Sequence, residues 1–402
     1  MEGLTTEERD AVARAQGAPM LDWTKRWSAV NSGTGNLAGL AKVADMLADA
    51  FSALPGDIML LDPSPAERVD AEGRVVAVEH GRHLRLQMRP DAPVQMLFTG
   101  HMDTVYPADH PFQAIADRGD GTVNGPGVAD MKGGLAILLA ALKAVEADPA
   151  AARLGYEVVI NSDEETGSLS SAALIADAAR GKIAAFTYEP ALPDGTLAGA
   201  RGGTGNFSIA VTGRSAHAGR NPQEGRNAIV AAADLALRLS GAASDGLTVN
   251  PAKIDGGGPN NVVPDRAVLR VNFRPADQAA IERARAAIDR AVAEVARAHD
   301  VQVAAHGGFN RPPKPVDPGA ERLFALVEHA GVALGLTLGR RATGGVCDGN
   351  NIAAAGVPVI DTMGVRGGAI HSADEFLIAD SLPERAALSA VSILRLVERG
   401  RP

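Results

Sequence analysis

The segment Met96-Leu97-Phe98-Thr99-Gly100-His101-Met102-Asp103 begins with apolar residues and ends with polar ones. A short apolar run of this kind is typical of a buried β-strand. Two later segments also have an apolar run followed by polar residues. Asn161 to Glu165 follow Val158 to Ile160, and Glu189 follows Ile183 to Tyr188. Helical patterns lie between these strands, so the sequence predicts an α/β layer structure.

The pattern changes near residue 203, where strands and helices begin to follow the order β-α-β-β-α-β of a ferredoxin-like domain. The spacing predicts strands near 207–211, 247–254, 262–274 and 301–303, and helices near 226–240 and 276–299. After a proline-rich exit at 311–315, α/β alternation returns. We therefore predict a larger domain in two pieces, 1–202 and 313–402, interrupted by an inserted smaller domain over 203–312.

Composition and charge exclude several classes of protein. The 402 residues are 46% hydrophobic and 22% charged, which is ordinary for a globular protein. The net charge of −9 argues against a nucleic-acid partner or an anionic membrane, either of which attracts basic surfaces. The chain has no apolar run long enough to span a membrane, and its acidic N-terminus shows no signal peptide. We expect a cytoplasmic protein.

Polar side chains follow the predicted strands or lie in glycine-rich loops, where open α/β sheets bind their ligands. They are His101, Asp103, Asp130, Glu164, Glu165, Glu189 and His371. Taken singly, each has an ordinary explanation, such as a surface turn, a helix N-cap, a solvated acidic turn or a structural loop histidine. Taken together, two histidines and three or four carboxylates are the ligand set of a dinuclear zinc site.

The charges of this set also fit two zinc ions. Asp130, Glu165 and Glu189 supply three negative charges, and one hydroxide brings the total to four. Glu164 is then left over as the base that a hydrolytic site needs. His101 and Asp103 point the same way at a strand end, so Asp103 is placed to orient the imidazole of His101.

Five motifs, taken in order, resemble the dinuclear-zinc metallopeptidase and deacylase family. They are Gly100 to Val105, Gly125 to Gly134, Asp163 to Ser168, Glu189-Pro190 and His371-Ser372. That family includes a glutamate carboxypeptidase, acetylornithine deacetylase, succinyl-diaminopimelate desuccinylase and peptidase T. The spacing from Glu165 to Glu189 and the segment Thr343-Gly344-Gly345 look most like the glutamate carboxypeptidase branch.

The resemblance implies that the two-piece domain is catalytic and contains a mixed sheet flanked by helices. It implies that the inserted domain over 203–312 is a lid that forms a homodimer. It also implies the role of each ligand. His101 and Glu189 would hold one zinc ion, Glu165 and His371 the other, and Asp130 would bridge both, followed by a cis peptide bond. Glu164 would be the general base, and Co²⁺ or Mn²⁺ could replace zinc.

The resemblance assigns functions to four residues of the lid. His217 would enter the partner subunit's active site and stabilise the oxyanion, and is counted with Glu164 and Asp103 as catalytic. Asn261 and Arg274 would bind substrate, and Arg311 would hold its terminal carboxylate, a task that suits a bidentate guanidinium. The alternatives are a surface loop histidine and two surface arginines.

The implied reaction is hydrolysis of an amide bond that releases a C-terminal amino acid from a small N-acyl or peptide substrate. An N-acyl amino acid deacylase is the alternative, and a non-catalytic binding protein is disfavoured because every ligand position is filled. One departure from the family affects specificity. Where glutamate-selective members carry a basic residue and a hydroxyl, this chain has Leu197 and Gly199, which donate no side-chain hydrogen bond. Arg201 lies nearby and is a candidate substitute for the missing donors.

Overall fold

A computed structural model describes residues 3–402 of the chain. The α-helices are α1 (Thr6–Gln16), α2 (Met20–Ser28), α3 (Leu37–Phe51), α4 (Gly133–Glu146), α5 (Ala172–Ala179), α6 (Ala228–Ser240), α7 (Gln278–His299), α8 (Pro318–Ala333), α9 (Asp348–Ala354) and α10 (Ser381–Arg399). None of the helices in this part of the chain is both long and apolar enough to cross a bilayer.

The strands of the first part are β1 (Asp57–Leu61), β2 (Ala66–Val69), β3 (Val75–Val78), β4 (His83–Met88), β5 (Val94–His101), β6 (Ala116–Asp117), β7 (Thr122–Asn124), β8 (Leu154–Asn161), β9 (Ala184–Thr187) and β10 (Leu197–Arg201). Those that follow are β11 (Thr204–Thr212), β12 (Ala216–His217), β13 (Leu247–Gly256), β14 (Val262–Val263), β15 (Arg266–Pro275), β16 (Gln302–Arg311), β17 (Arg340–Thr343), β18 (Val359–Ile360), β19 (Gly367–Gly368) and β20 (Phe376–Ile378).

A six-stranded mixed sheet in the order β1-β4-β8-β5-β9-β18 forms the framework of the larger unit. β5 runs parallel to β8 and β9, whereas β4 runs antiparallel to β8. Neighbouring residues of β5 face opposite sides of the sheet. Phe98 packs into the core that contains α4 and α10, and Leu97 packs into the smaller core with α5 and α9. The sheet is therefore covered by helices on both faces, and the predicted α/β fold is confirmed.

Helix α4 begins directly behind the end of β9. A Cβ atom on Gly134 would lie 2.0 Å from the carbonyl oxygen of Tyr188, a separation that real atoms do not reach. The absence of a side chain at Gly134 thus allows the first turn of α4 to pack against the strand that leads into Glu189. This close approach brings the loop before α4 to the carboxyl edge of the parallel strands.

The lid sheet has the order β13-β15-β11-β16, with every neighbouring pair antiparallel. α6 and α7 share one apolar core with it, which is the ferredoxin-like arrangement expected. The predicted continuous strand over 262–274 is wrong. Pro264 has no N–H for a sheet ladder, so β14 separates from β15 and pairs with β12. The division of the chain at 202 and 312 stays a prediction.

Candidate metal centre

Three parallel strands deliver polar residues to one edge of the central sheet. His101 is the last residue of β5, Glu164 and Glu165 follow β8, and Glu189 follows β9. In the register of the sheet, His101 lies opposite Asn161 of β8, so these strand ends meet. Asp130, from the loop before α4, completes a group of buried or half-buried side chains.

Asp130 lies between two pairs, each made of a histidine and a carboxylate. Its Oδ1 is 3.0 Å from Nε2 of His101, and its Oδ2 is 3.4 Å from Nε2 of His371. Oε1 of Glu189 is 3.8 Å from Nε2 of His101. Oε2 of Glu165 is 3.2 Å from Nε2 of His371. The two oxygens of one carboxylate therefore face two separate ligand pairs, which is the arrangement that a bridging ligand requires.

The electrostatics of the group also suit bound cations. Burial, together with the charge of Asp130, raises the pKa of Glu165 to about 7. Burial likewise raises the pKa of Glu189. Hydrogen bonds with Asp130 and Glu165 raise the pKa of His371 to about 10. Crowded carboxylates and imidazoles of this kind hold protons that a divalent cation can replace, and nitrogen and oxygen donors are ligands that zinc accepts.

The loops that carry Asp130 and His371 have unusual backbones. The peptide bond between Asp130 and Met131 is cis, as the resemblance implied, and His371 has a φ of +64°. Asp130 makes no N-cap hydrogen bond to α4, so its explanation as a helix cap fails. Its side chain faces the histidines instead.

Asp103 is fully buried and has more partners than the sequence indicated. Its Oδ1 is 3.3 Å from Nδ1 of His101, which fits the predicted orienting role. Its two oxygens also accept hydrogen bonds from the backbone N–H groups of Glu164 and Glu165, each at 3.2 Å. The hydroxyl of Thr34 donates to it at 2.7 Å. Asp103 thus holds one histidine and the acidic turn together.

Glu164 is buried beside the histidine of the first pair. A ligand atom of Glu164 lies within 4.8 Å of those of His101 and Glu189. Arg311 binds it from behind, with Nη2 at 2.7 Å from its Oε1 and 2.8 Å from its carbonyl oxygen. Burial raises the pKa of Glu164 well above its ordinary value, although the charge of Arg311 opposes this shift. A carboxylate with a raised pKa next to a metal site is suited to accept a proton.

Arg311 is therefore not a surface charge, because it is buried and also lies 3.5 Å from Asp348. Its contact with Glu164 has no signal in the sequence, since 147 residues separate them.

Sequence reasoning also missed Lys132, a buried ammonium that donates to Ser32 at 2.7 Å. Burial lowers the pKa of Lys132 to about 8. The one indication of Lys132 in the sequence was its position two residues after Asp130.

A cleft of about 790 Å³ opens from the candidate metal ligands. Arg274, Arg311, Leu197 and the buried Cys347 are among its lining residues. Arg201 also lines it, but its guanidinium is held by Asp361 at 2.7 and 3.0 Å and is not free for a substrate.

His217 and Asn261 lie together on the lid and do not line the cleft of their own chain. His217 is in β12, which pairs with β14, and Asn261 accepts a backbone hydrogen bond from Ala218 at 3.0 Å. His217 is exposed, and its Nδ1 accepts hydrogen bonds from two backbone N–H groups of its own turn. Its other ring nitrogen remains available to a second molecule.

Fold and site together define a metal-dependent hydrolase with an inserted lid. The model of Peptidase family M20/M25/M40 matches residues 97–395, and the chain belongs to this family. It is 29% identical over 380 residues to carboxypeptidase G2 of Pseudomonas sp. (strain RS-16), covering 91% of this chain and 86% of that protein.

Two further comparisons extend the likeness. The chain is 27% identical over 304 residues to the succinyl-diaminopimelate desuccinylase of Verminephrobacter eiseniae (strain EF01-2), covering 70% of this chain and 74% of that protein. The crystal structure of a tripeptidase from Staphylococcus aureus superposes with a TM-score of 0.72 at 23% identity, covering 94% of this chain and 98% of the other. The family and its relatives establish the protein as a hydrolase of C–N bonds that acts by metal-dependent amide hydrolysis.

Proposed function

We propose that the protein uses two zinc ions to release the C-terminal amino acid from a small N-acyl or peptide substrate. The observation that carries this proposal is the position of Asp130, whose two carboxylate oxygens face His101 and His371 separately. The likeness to carboxypeptidase G2, which extends over 91% of the chain, supports the carboxypeptidase direction.

The geometry supports a specific division of the ligands. His101 and Glu189 would hold one ion, and Glu165 and His371 the other, with Asp130 shared between them. When bound, zinc polarises a carbonyl oxygen and lowers the pKa of water to near neutrality. Cobalt and manganese accept the same donors and are proposed as substitutes.

Glu164 is proposed as the general base. It lies within reach of the ligand atoms, so it can accept a proton from the attacking water and return it to the leaving nitrogen. Arg311 holds its carboxylate in place. Arg274 lines the cleft and hydrogen-bonds only Asn272 among residues 3–402, so its guanidinium has capacity for the terminal carboxylate of a substrate. The resemblance assigned that carboxylate to Arg311, but the guanidinium of Arg311 already contacts Glu164. Arg311 and Asn261 are therefore proposed as further substrate contacts.

The test is a panel of N-acyl amino acids and dipeptides, with release of the free amine measured. Glu164→Gln should lower turnover by about 10²–10⁴-fold while zinc still binds, because the amide cannot accept the proton. Glu8→Gln is the matched control, since Glu8 is a buried glutamate that pairs with Arg395 away from the cleft. Wild-type turnover in Glu164→Gln, or no amine release from any substrate, would contradict the proposal.

An N-acyl amino acid deacylase is the second candidate, supported by the likeness to a desuccinylase. Leu197 lines the cleft and Gly199 adds no side chain, so no side chain at these positions donates a hydrogen bond. The same panel separates the two candidates. A deacylase would favour acetyl or succinyl amino acids over dipeptides, whereas a carboxypeptidase would depend on the C-terminal residue.

We also propose that the protein is a homodimer that pairs through the lid. Helix α6 exposes Val230 and Leu237, which are seven residues apart and share one face, with 51% and 74% of their surfaces accessible. Ile254 is exposed on β13, which is an edge strand of the lid sheet. An apolar helix face beside an open sheet edge favours association with a second copy. A cytoplasmic location also remains a proposal.

A further inference from the structure

Glu375 is a buried glutamate whose carboxylate accepts four hydrogen bonds. Its Oε1 accepts from the backbone N–H groups of Ala129 at 3.0 Å and Asp130 at 3.1 Å. Its Oε2 accepts from the N–H of Gly127 at 3.1 Å and from the hydroxyl of Tyr106 at 3.0 Å. Three of the four donors therefore belong to the segment that carries the proposed bridging ligand.

The segment 127–130 needs such a partner because its backbone is irregular. Gly127 has a φ of +72°, and Asp130 has φ −116° and ψ 89°, neither of which is helical. N–H groups in such a segment have no regular ladder of acceptors, and leaving them unpaired in the interior would be costly. One carboxylate satisfies three of them and fixes the direction in which Asp130 projects.

Glu375 also joins this segment to the loop of the second histidine. It follows His371 by four residues, and its backbone carbonyl accepts a hydrogen bond from Asn124 at 2.6 Å. The hydroxyl of Tyr106 shares its one proton between the carboxylate of Glu375, at 3.0 Å, and the carbonyl of Ser372, at 2.7 Å. Asp130 and His371 both lie on loops, so no strand sets their separation. The side chain of Glu375 instead ties the segment of Asp130 to the loop of His371.

We propose that Glu375 is a positioning residue that sets the distance and angle between Asp130 and His371 for metal binding. This inference rests on the proposed metal-dependent function. Outer partners of metal ligands typically contribute about 10–100-fold to metal affinity, because they hold the ligands in one orientation.

The experiment titrates metal-free protein with Co²⁺ and records affinity and visible absorption. Glu375→Gln keeps the size of the side chain but has one amide oxygen in place of two carboxylate oxygens. That oxygen can accept only one of the two pairs of hydrogen bonds, and the NH₂ group faces the donors of the other pair. We expect Co²⁺ affinity to fall about 10–100-fold, with an altered absorption spectrum. Tyr106→Phe removes one donor and should shift both readouts in the same direction by less.

Glu8→Gln is the control for a buried glutamate with a structural task. Glu8 accepts the N–H of Thr5 at 2.9 Å and pairs with Arg395 at 2.6 Å. This variant should lose thermal stability and keep the wild-type Co²⁺ affinity and spectrum. The proposal is overturned if Glu375→Gln folds and binds Co²⁺ as wild type does. If Glu375→Gln does not fold, the same result with Tyr106→Phe overturns it. If wild type itself binds no Co²⁺, the proposed function fails instead.

Discussion

Asp103 contacts two parts of the candidate metal site through one buried carboxylate. It contacts the ring of His101 and also accepts the backbone N–H groups of Glu164 and Glu165. We expect Asp103→Ala to weaken metal affinity or turnover by about 10–100-fold, because both the histidine and the acidic turn lose their anchor. Zinc competition against a chelator, followed by kinetics at saturating metal, measures this effect.

Asp70→Ala is a suitable control for that variant. Asp70 also accepts two backbone N–H groups, from Glu72 and Arg74, but on the hairpin between β2 and β3. It should leave metal affinity unchanged. Wild-type affinity and turnover in Asp103→Ala would return Asp103 to an ordinary turn residue.

The sequence predicted the site residues that end parallel strands, because strand ends of one sheet meet at one edge. His101, Glu165 and Glu189 are of this kind, and the structure brings them together. The partners of Glu375 could not be predicted in the same way. It accepts from backbone N–H groups 245 to 248 residues earlier, and any residue type except proline supplies such a group.

At the level of elements, a buried ion cluster joins β10, the end of β18 and the exit from the lid. Asp361 is fully buried and contacts Arg201 at 2.7 Å and Lys314 at 3.0 Å. Asp361→Asn leaves two buried cations without a negative partner, so we expect a loss of about 3–5 kcal/mol in the free energy of unfolding. Asp234→Asn, in a more exposed pair with Arg238, should cost less than about 1 kcal/mol.

The contribution of Asp361 should also depend on pH. Burial alone would raise the pKa of this carboxyl, but Arg201 and Lys314 outweigh burial and hold the pKa below its ordinary value. The folded state therefore binds the proton more weakly than the unfolded state. The stability from Asp361 is fully present above the ordinary pKa of about 4 and is lost as pH falls through the lower folded pKa. Urea unfolding at pH 7, 5 and 3 should show the gap between wild type and Asp361→Asn narrowing at pH 3.

Apolar runs and alternation predicted the central-sheet strands β4, β5, β8 and β9 and the four strands of the lid sheet, but not the break at Pro264. Val262 and Val263 continue the apolar pattern of β15, so the pattern alone favoured one long strand. The missing N–H of Pro264 and the pairing of β14 with β12 decide the structure there. That short pair is also where His217 lies, so the error concerned the element that places a proposed catalytic residue.

At the scale of the whole molecule, the exposed position of His217 leads to a prediction about dimers. If His217 acts in the partner subunit's site, a mixture of inactive Glu164→Ala and His217→Ala chains regains activity. A mixed dimer has one site with both defects and one with neither. Random exchange of subunits should restore about a quarter of wild-type turnover. Mixed dimers that form and stay inactive would show that His217 does not act in trans.

The shared position of Asp130 between two ligand pairs predicts two metal ions per chain. Elemental analysis of protein purified without chelator should find close to two zinc equivalents, and removal of the metal should abolish amine release until zinc or cobalt is restored. Asp130→Ala should bind fewer ions at the same metal concentration, because both pairs lose a ligand. A wild-type chain that holds no ion, or a single ion, after reconstitution with zinc and with cobalt would contradict the dinuclear site.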